Sequence, residues 1–198
     1  MTQLHVVTCF EVADAQAARG VAVLKDYVAR LGGDGGAMHA AAFQELGQAN
    51  RFVVSKVWTS ETARAQWNAD AAHSPVADIE IAPADIRLHH AWSIGEESSS
   101  PADAVYVFTH VDVPPPHLPG LEAIFRPFVE DSRKEKGAMR FDALQSTSRP
   151  NHFTLIEVWA SEEHRRAHAA AVHVREFRAA LTPMLGALYD QRLFTLIA

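Results

Sequence analysis

The chain has 198 residues, 48% of them hydrophobic and 21% charged, with a formal net charge of −6. That composition excludes a disordered polymer, and the acidic balance argues against a nucleic-acid or anionic-membrane binder. A single cysteine, Cys9, excludes an intrachain disulfide, and its apolar run suggests burial. No basic segment followed by an apolar one opens the sequence, and no stretch approaches 18 apolar residues. The expectation is a cytoplasmic protein.

In chain order, His5 to Phe10 reads as a strand and Asp14 to Leu31 as an amphipathic helix. Met38 to Phe43 and Phe52 to Trp58 read as two further strands. A helix starts at Ser60 and is interrupted by Pro75, and Ile86 to Trp92 is a fourth strand. A Ser/Glu-rich stretch follows, without hydrophobic period. The same order then returns: strand Val105 to Val111, helix Leu121 to Ser132, strands Met139 to Gln145 and Phe153 to Trp159. Next come a helix capped by Ser161, which runs towards His173, breaks and continues to Leu181, and a last strand, Tyr189 to Ile197.

The return is a sequence repeat. Shifted by 101 residues, Gly36-Ala37-Met38 falls on Gly137-Ala138-Met139, Gln44 on Gln145, Asn50 on Asn151 and Phe52 on Phe153. Val57-Trp58 falls on Val158-Trp159, Ser60-Glu61 on Ser161-Glu162, and Arg64 on Arg165. Two β-α-β-β-α-β units are therefore expected: 1–94, a linker at 95–103, and 104–198. The fold class is α+β, two tandem ferredoxin-like (split βαβ) domains. Strands apolar on both sides cannot face water, so the two antiparallel sheets are expected to pack on each other.

The run Asn151-His152-Phe153-Thr154-Leu155-Ile156-Glu157-Val158-Trp159-Ala160-Ser161-Glu162, followed by His168 and His173, resembles the antibiotic biosynthesis monooxygenase (ABM) family. Lys136 to Asp142 resembles that family's Gly-containing strand, and the first half is similar more weakly, through Asn50, Phe52, Trp58 and Ser60-Glu61. The resemblance implies a dimeric α/β barrel, here fused into one chain as an intramolecular pseudo-dimer, as a monomer or a homodimer. It implies a cofactor-independent monooxygenase acting with O₂ on a small phenolic, quinol or polyketide-type substrate. Two family positions differ: Leu155 stands where an asparagine is expected and Arg165 where a tyrosine is expected. A non-catalytic small-molecule-binding or structural protein on this scaffold, or an isomerase or decarboxylase, therefore stays open.

His168, His173 and Arg178 are the catalytic candidates. Histidine titrates near neutrality and suits proton abstraction, and a fixed arginine suits a developing anion. Trp159, Trp58, His110, Tyr106 and Tyr189 are the substrate-binding candidates. No metal site is expected, since His164 and His168 lack the glutamate of a zinc-hydrolase motif, and neither haem, flavin nor nicotinamide has a recognisable binding motif. The second half is the expected seat of chemistry. The first has Lys56 where the second has Glu157, and Trp67 where the second has His168.

Overall fold

The computed structural model describes residues 3–32, 37–70, 75–95, 100–187 and 189–198. Residues 96–99 of the expected linker lie outside these. The strands are β1 (Leu4–Glu11), β2 (Ala37–Glu45), β3 (Arg51–Trp58), β4 (Asp85–Ser93), β5 (Val105–Asp112), β6 (Ala138–Ser146), β7 (His152–Trp159) and β8 (Asp190–Leu196). The helices are α1 (Ala17–Gly32), α2 (Glu61–Asp70), α3 (Leu118–Arg133), α4 (Glu162–Ala169) and α5 (Val172–Leu181). Among the described residues no helix is long and apolar enough to cross a membrane.

Two compact units divide the chain: Met1–His90 with Phe194–Ala198, and Ala91–Leu193. The first is built on β3, which pairs antiparallel with β1 and β2, and β1 pairs in turn with β4. The second is built in the same way on β7, flanked by β5 and β6. The repeat holds to the residue. Leu4 faces Trp58 across one pair and Val105 faces Trp159 across the other. The register shifts at Ala37/His39 in β2 and again at Ala138/Arg140 in β6.

The repeated polar residues are explained by this frame. Asn50 Nδ2 donates to the Val12 carbonyl at 3.1 Å and Asn151 Nδ2 to the Val113 carbonyl at 2.7 Å. Gln44 and Gln145 each donate across their hairpin, to the Ala49 and Pro150 carbonyls, both at 2.7 Å. Ser60 accepts from the Ala63 N–H, and Ser161 from the His164 N–H. These contacts satisfy backbone groups at turns and helix starts. Gly137 has φ +80°, and a Cβ there would collide with the His164 ring, so two constraints select glycine.

Two local readings change and one holds. Helix α3 begins at Leu118, not Leu121, because Pro119 sits in its first turn, where no N–H is lost. The break expected before His173 is real and lies at Ala170–Ala171, between α4 and α5. Cys9, expected inside, is half-buried.

Strand alternation sorts the side chains of the second unit. Val105, Val107, Val111, Phe141, Phe153, Leu155 and Trp159 pack with Leu121, Phe125, Phe128 and Val129 of α3 and Val174 and Phe177 of α5. The Phe128 and Phe177 rings stack with centroids 3.9 Å apart. The helices are thus held on one face of the sheet by an aromatic layer, and polar groups set into that layer are removed from water.

Candidate functional site

Glu157 follows the parity of Phe153, Leu155 and Trp159, so its carboxylate enters the helix-facing layer, where it is 1% exposed. The Trp159 indole N–H donates to its Oε2 at 2.9 Å. The Gln191 side chain also hydrogen-bonds this carboxylate. Burial pushes the carboxyl above its ordinary value, while His168, the indole N–H, Arg178 and the Gln191 side chain act against that shift.

His168 reaches the same place from α4. Its ring lies on Trp159, with centroids 4.5 Å apart and 29° between planes, and Phe141 meets it at 5.8 Å. Its Nε2 is 3.7 Å from Glu157 Oε2, and its Nδ1 is 2.6 Å from Oε1 of Glu135. A carboxylate that close makes Nδ1 the protonated nitrogen of the neutral ring. Nε2, the basic nitrogen, is left facing Glu157.

Glu135 also holds His173, whose Nε2 is 3.2 Å from the same Oε1. Ser132 Oγ lies 3.4 Å from His173 Nε2 and donates its own proton to the Phe128 carbonyl at 2.7 Å. Ser132 therefore offers His173 only a lone pair, so Nε2 carries the hydrogen there. The result is a row of four ionisable groups: Glu157, His168, Glu135 and His173. It runs from full burial to a histidine whose side chain is 24% exposed.

Arg178 is half-buried on α5. Its guanidinium carbon lies 5.9 Å from the Tyr189 ring centroid, and Nη2 donates to Gln191 Oε1 at 3.4 Å. Tyr189 is pushed well above the ordinary phenol value by burial first and by the negative charge of Glu157 second, with Arg178 opposing. It stays a neutral donor at physiological pH. Arg178 acts on Glu157, and Glu157 and Arg178 both act on Tyr189, so the three belong to one cluster.

The expected residues divide. His168, His173, Trp159, Arg178 and Tyr189 gather around Glu157 and Glu135. Tyr106 and His110 do not. Cross-strand partners share a face, and Tyr106 pairs with Val158 and His110 with Thr154, one residue out of step with Trp159. His110 Nδ1 bonds Thr154 Oγ1 at 2.9 Å on that other face. Trp58 is in the first unit, packed on Trp67 at 6.4 Å. Glu135 was outside the sequence expectations: it follows α3 in a Lys-Glu-Lys run that reads as solvated surface. Glu157 had a signal, a lone carboxylate at an inward position of an apolar strand. Glu135, His168 and His173 also present donor atoms within 4.8 Å of one another, the geometry of a three-ligand cation site.

A family model described as antibiotic biosynthesis monooxygenase matches residues 104–180. No curated protein matches the chain in sequence. Among solved structures, a candidate monooxygenase from Fusobacterium nucleatum has a TM-score of 0.84 at 15% identity, over 100% of this chain and 93% of its own. Another candidate monooxygenase, from Lactobacillus acidophilus, has 0.78 at 14% identity, over 100% and 95%. A protein described as anthrone oxidase-like has 0.79 at 12% identity, over 100% and 92%. These likenesses establish the fold over the full chain. The family model covers the second repeat, which carries the Glu157–His168 cluster, and the chain is similar to the antibiotic biosynthesis monooxygenase family over that stretch.

Proposed function

We propose that the protein is a cofactor-independent monooxygenase of small phenolic or quinol substrates, polyketide-type anthrones among them, and that the second repeat performs the chemistry. The observation that carries this reading is the buried Glu157–His168 couple, with its outward continuation through Glu135 to His173. The family and the names of its structural neighbours support the oxygenase class.

The couple takes the substrate's proton at the Glu157 carboxylate or at His168 Nε2. A carboxyl raised by burial is a stronger base than an ordinary one, and the indole N–H keeps Oε2 in place. Glu135 holds the His168 tautomer and shares charge with the imidazolium as it forms, as a carboxylate does behind a catalytic histidine. Arg178 offsets the negative charge of the substrate anion. That anion gives one electron to O₂, and the carbon radical and superoxide combine into a peroxide. Cleavage of the O–O bond leaves one oxygen in the product and one in water. In an anthrone a CH₂ group thereby becomes C=O; in a quinol a ring C–H becomes C–OH and the ring becomes a quinone; in both, four substrate electrons reduce the O₂ to the product oxygen and water, so no external reductant enters.

Oxygen uptake with dithranol, naphthoquinols and catechols tests the proposal, with ¹⁸O₂ labelling of the product. One labelled oxygen in the product, and loss of uptake in His168→Ala and Glu157→Gln, is expected. No uptake with any member of the panel, or uptake untouched by both substitutions, rejects it.

A further inference from the structure

The two repeats place opposite charges at one position. Lys56 stands 101 residues before Glu157, and Trp58 before Trp159. In the second repeat the indole N–H has its acceptor in Glu157. In the first, the acceptor has become a donor. Trp58 is 1% exposed, and its Nε1 is buried without a hydrogen-bond partner.

Around this pair the first repeat has replaced the companions too. Tyr27 occupies the position of Phe128, and Trp67 that of His168. Lys56 Nζ lies 3.4 Å from the Tyr27 hydroxyl and 5.5 Å from its ring centroid. The Tyr27 hydroxyl is hydrogen-bonded by the Trp67 side chain. Trp58 and Trp67 meet at 40°. Lys56 is itself 9% exposed, and the charged group acting on it is Arg64, another cation. Among the described residues no carboxylate acts on it.

A buried ammonium without a counter-charge, beside a buried indole N–H without an acceptor, is costly twice over. Both costs are removed by one thing: an anionic oxygen between them. The walls are aromatic, and Tyr27 and Trp67 are half-buried, so the group is open on one side. An ordinary phenol titrates near 10 and is neutral at physiological pH, whereas an aromatic acid carries a full negative charge there.

We propose that the first repeat holds a second ligand site, at Lys56, Trp58, Tyr27 and Trp67, which binds an aromatic carboxylate by charge and indole hydrogen bond. Burial first and the Arg64 charge second lower the Lys56 ammonium to about 8. A bound carboxylate reverses that. Tyr27, Arg30 and Arg64 are the other titratable groups acting on this cluster. The site is independent of the chemistry in the second repeat.

The test is an indole ¹H–¹⁵N titration of the full chain with sodium benzoate, against sodium chloride at equal ionic strength, with Trp58 assigned from Trp58→Phe. A saturable shift of the Trp58 signal is expected. It should persist in His168→Ala and Lys56→Arg, and weaken about ten-fold or more in Lys56→Met. Calorimetry on Trp58→Phe gives a second reading should Lys56→Met fail to fold, and benzoate affinity should fall there too. An unmoved Trp58 signal, an equal response to chloride, or benzoate affinity equal in wild type, Lys56→Met and Trp58→Phe overturns the proposal.

Discussion

His168 lies on the ring of Trp159, 4.5 Å between centroids, with one of its nitrogens turned to a carboxylate from α3's end and the other to a carboxylate from β7. Sequence separates these groups, and packing of α4 against the sheet joins them. The histidine can neither tilt nor change tautomer without losing a contact.

Removal of that histidine should therefore affect chemistry more than folding. His168→Ala is expected to lower oxygen uptake by about 10²-fold or more, the usual range for a positioned acid–base group. Glu135→Gln keeps the ring in place but removes the charge behind it, and should lower turnover less. Turnover and thermal midpoints measured on both variants check this, and an equal loss in both, tracking stability, counts against a catalytic role.

Glu157 makes a prediction about pH. Its carboxyl is raised in the folded protein, so the fold holds a proton that the unfolded chain releases. This contribution to stability is complete below the ordinary carboxyl value and declines as pH rises through the folded one. Glu157→Gln lacks the decline. Urea midpoints from pH 4 to 8 should show wild type losing ground to the variant as pH rises. A constant gap rejects the raised carboxyl.

Lys56 runs in the other direction. With the ammonium lowered from 10.5 to about 8, the unfolded chain holds a proton in that window that the folded one lacks, and stability rises with pH across it. The penalty below the window is up to about 3 kcal/mol. Lys56→Met should thus be more stable than wild type at pH 7, with the gap narrowing by pH 10. A variant less stable at pH 7 means that the amine has a favourable partner.

The paired asparagines offer an internal control. Asn50→Ala and Asn151→Ala each remove one side-chain bond to a backbone carbonyl, at Val12 and Val113. Each should cost roughly 1–2 kcal/mol. Denaturant unfolding of both single variants measures it, and a negligible effect in both would mean that water replaces the amide.

The repeat made most of the fold legible. Strand positions came from β-branched and aromatic runs, and one shift of 101 residues carried each assignment from one half to the other. The start of α3 was missed because three prolines before it mask a proline inside its first turn. The site was half legible. Trp159, His168 and His173 lie in one contiguous stretch with spacing that marks them. Glu135 reaches them only because α3 ends above α4, and no local pattern encodes that. Tyr106 and His110 were grouped with Trp159 without the β5–β7 register. Once Val105 is known to face Trp159, their parity puts them on the opposite side.

Ile197 and Ala198 donate their backbone N–H groups to the carbonyl of Ala42, and Phe194, Thr195 and Leu196 pair with β2. The first unit is thus finished by residues that leave the ribosome only after the whole second unit has been made. Until then the outer edge of β2 has no partner from its own unit, and unpaired strand edges invite foreign strands. Synthesis order and assembly order are therefore opposed in this chain. A nascent chain halted before Phe194 should be cut readily at β2 by a protease that the finished protein resists.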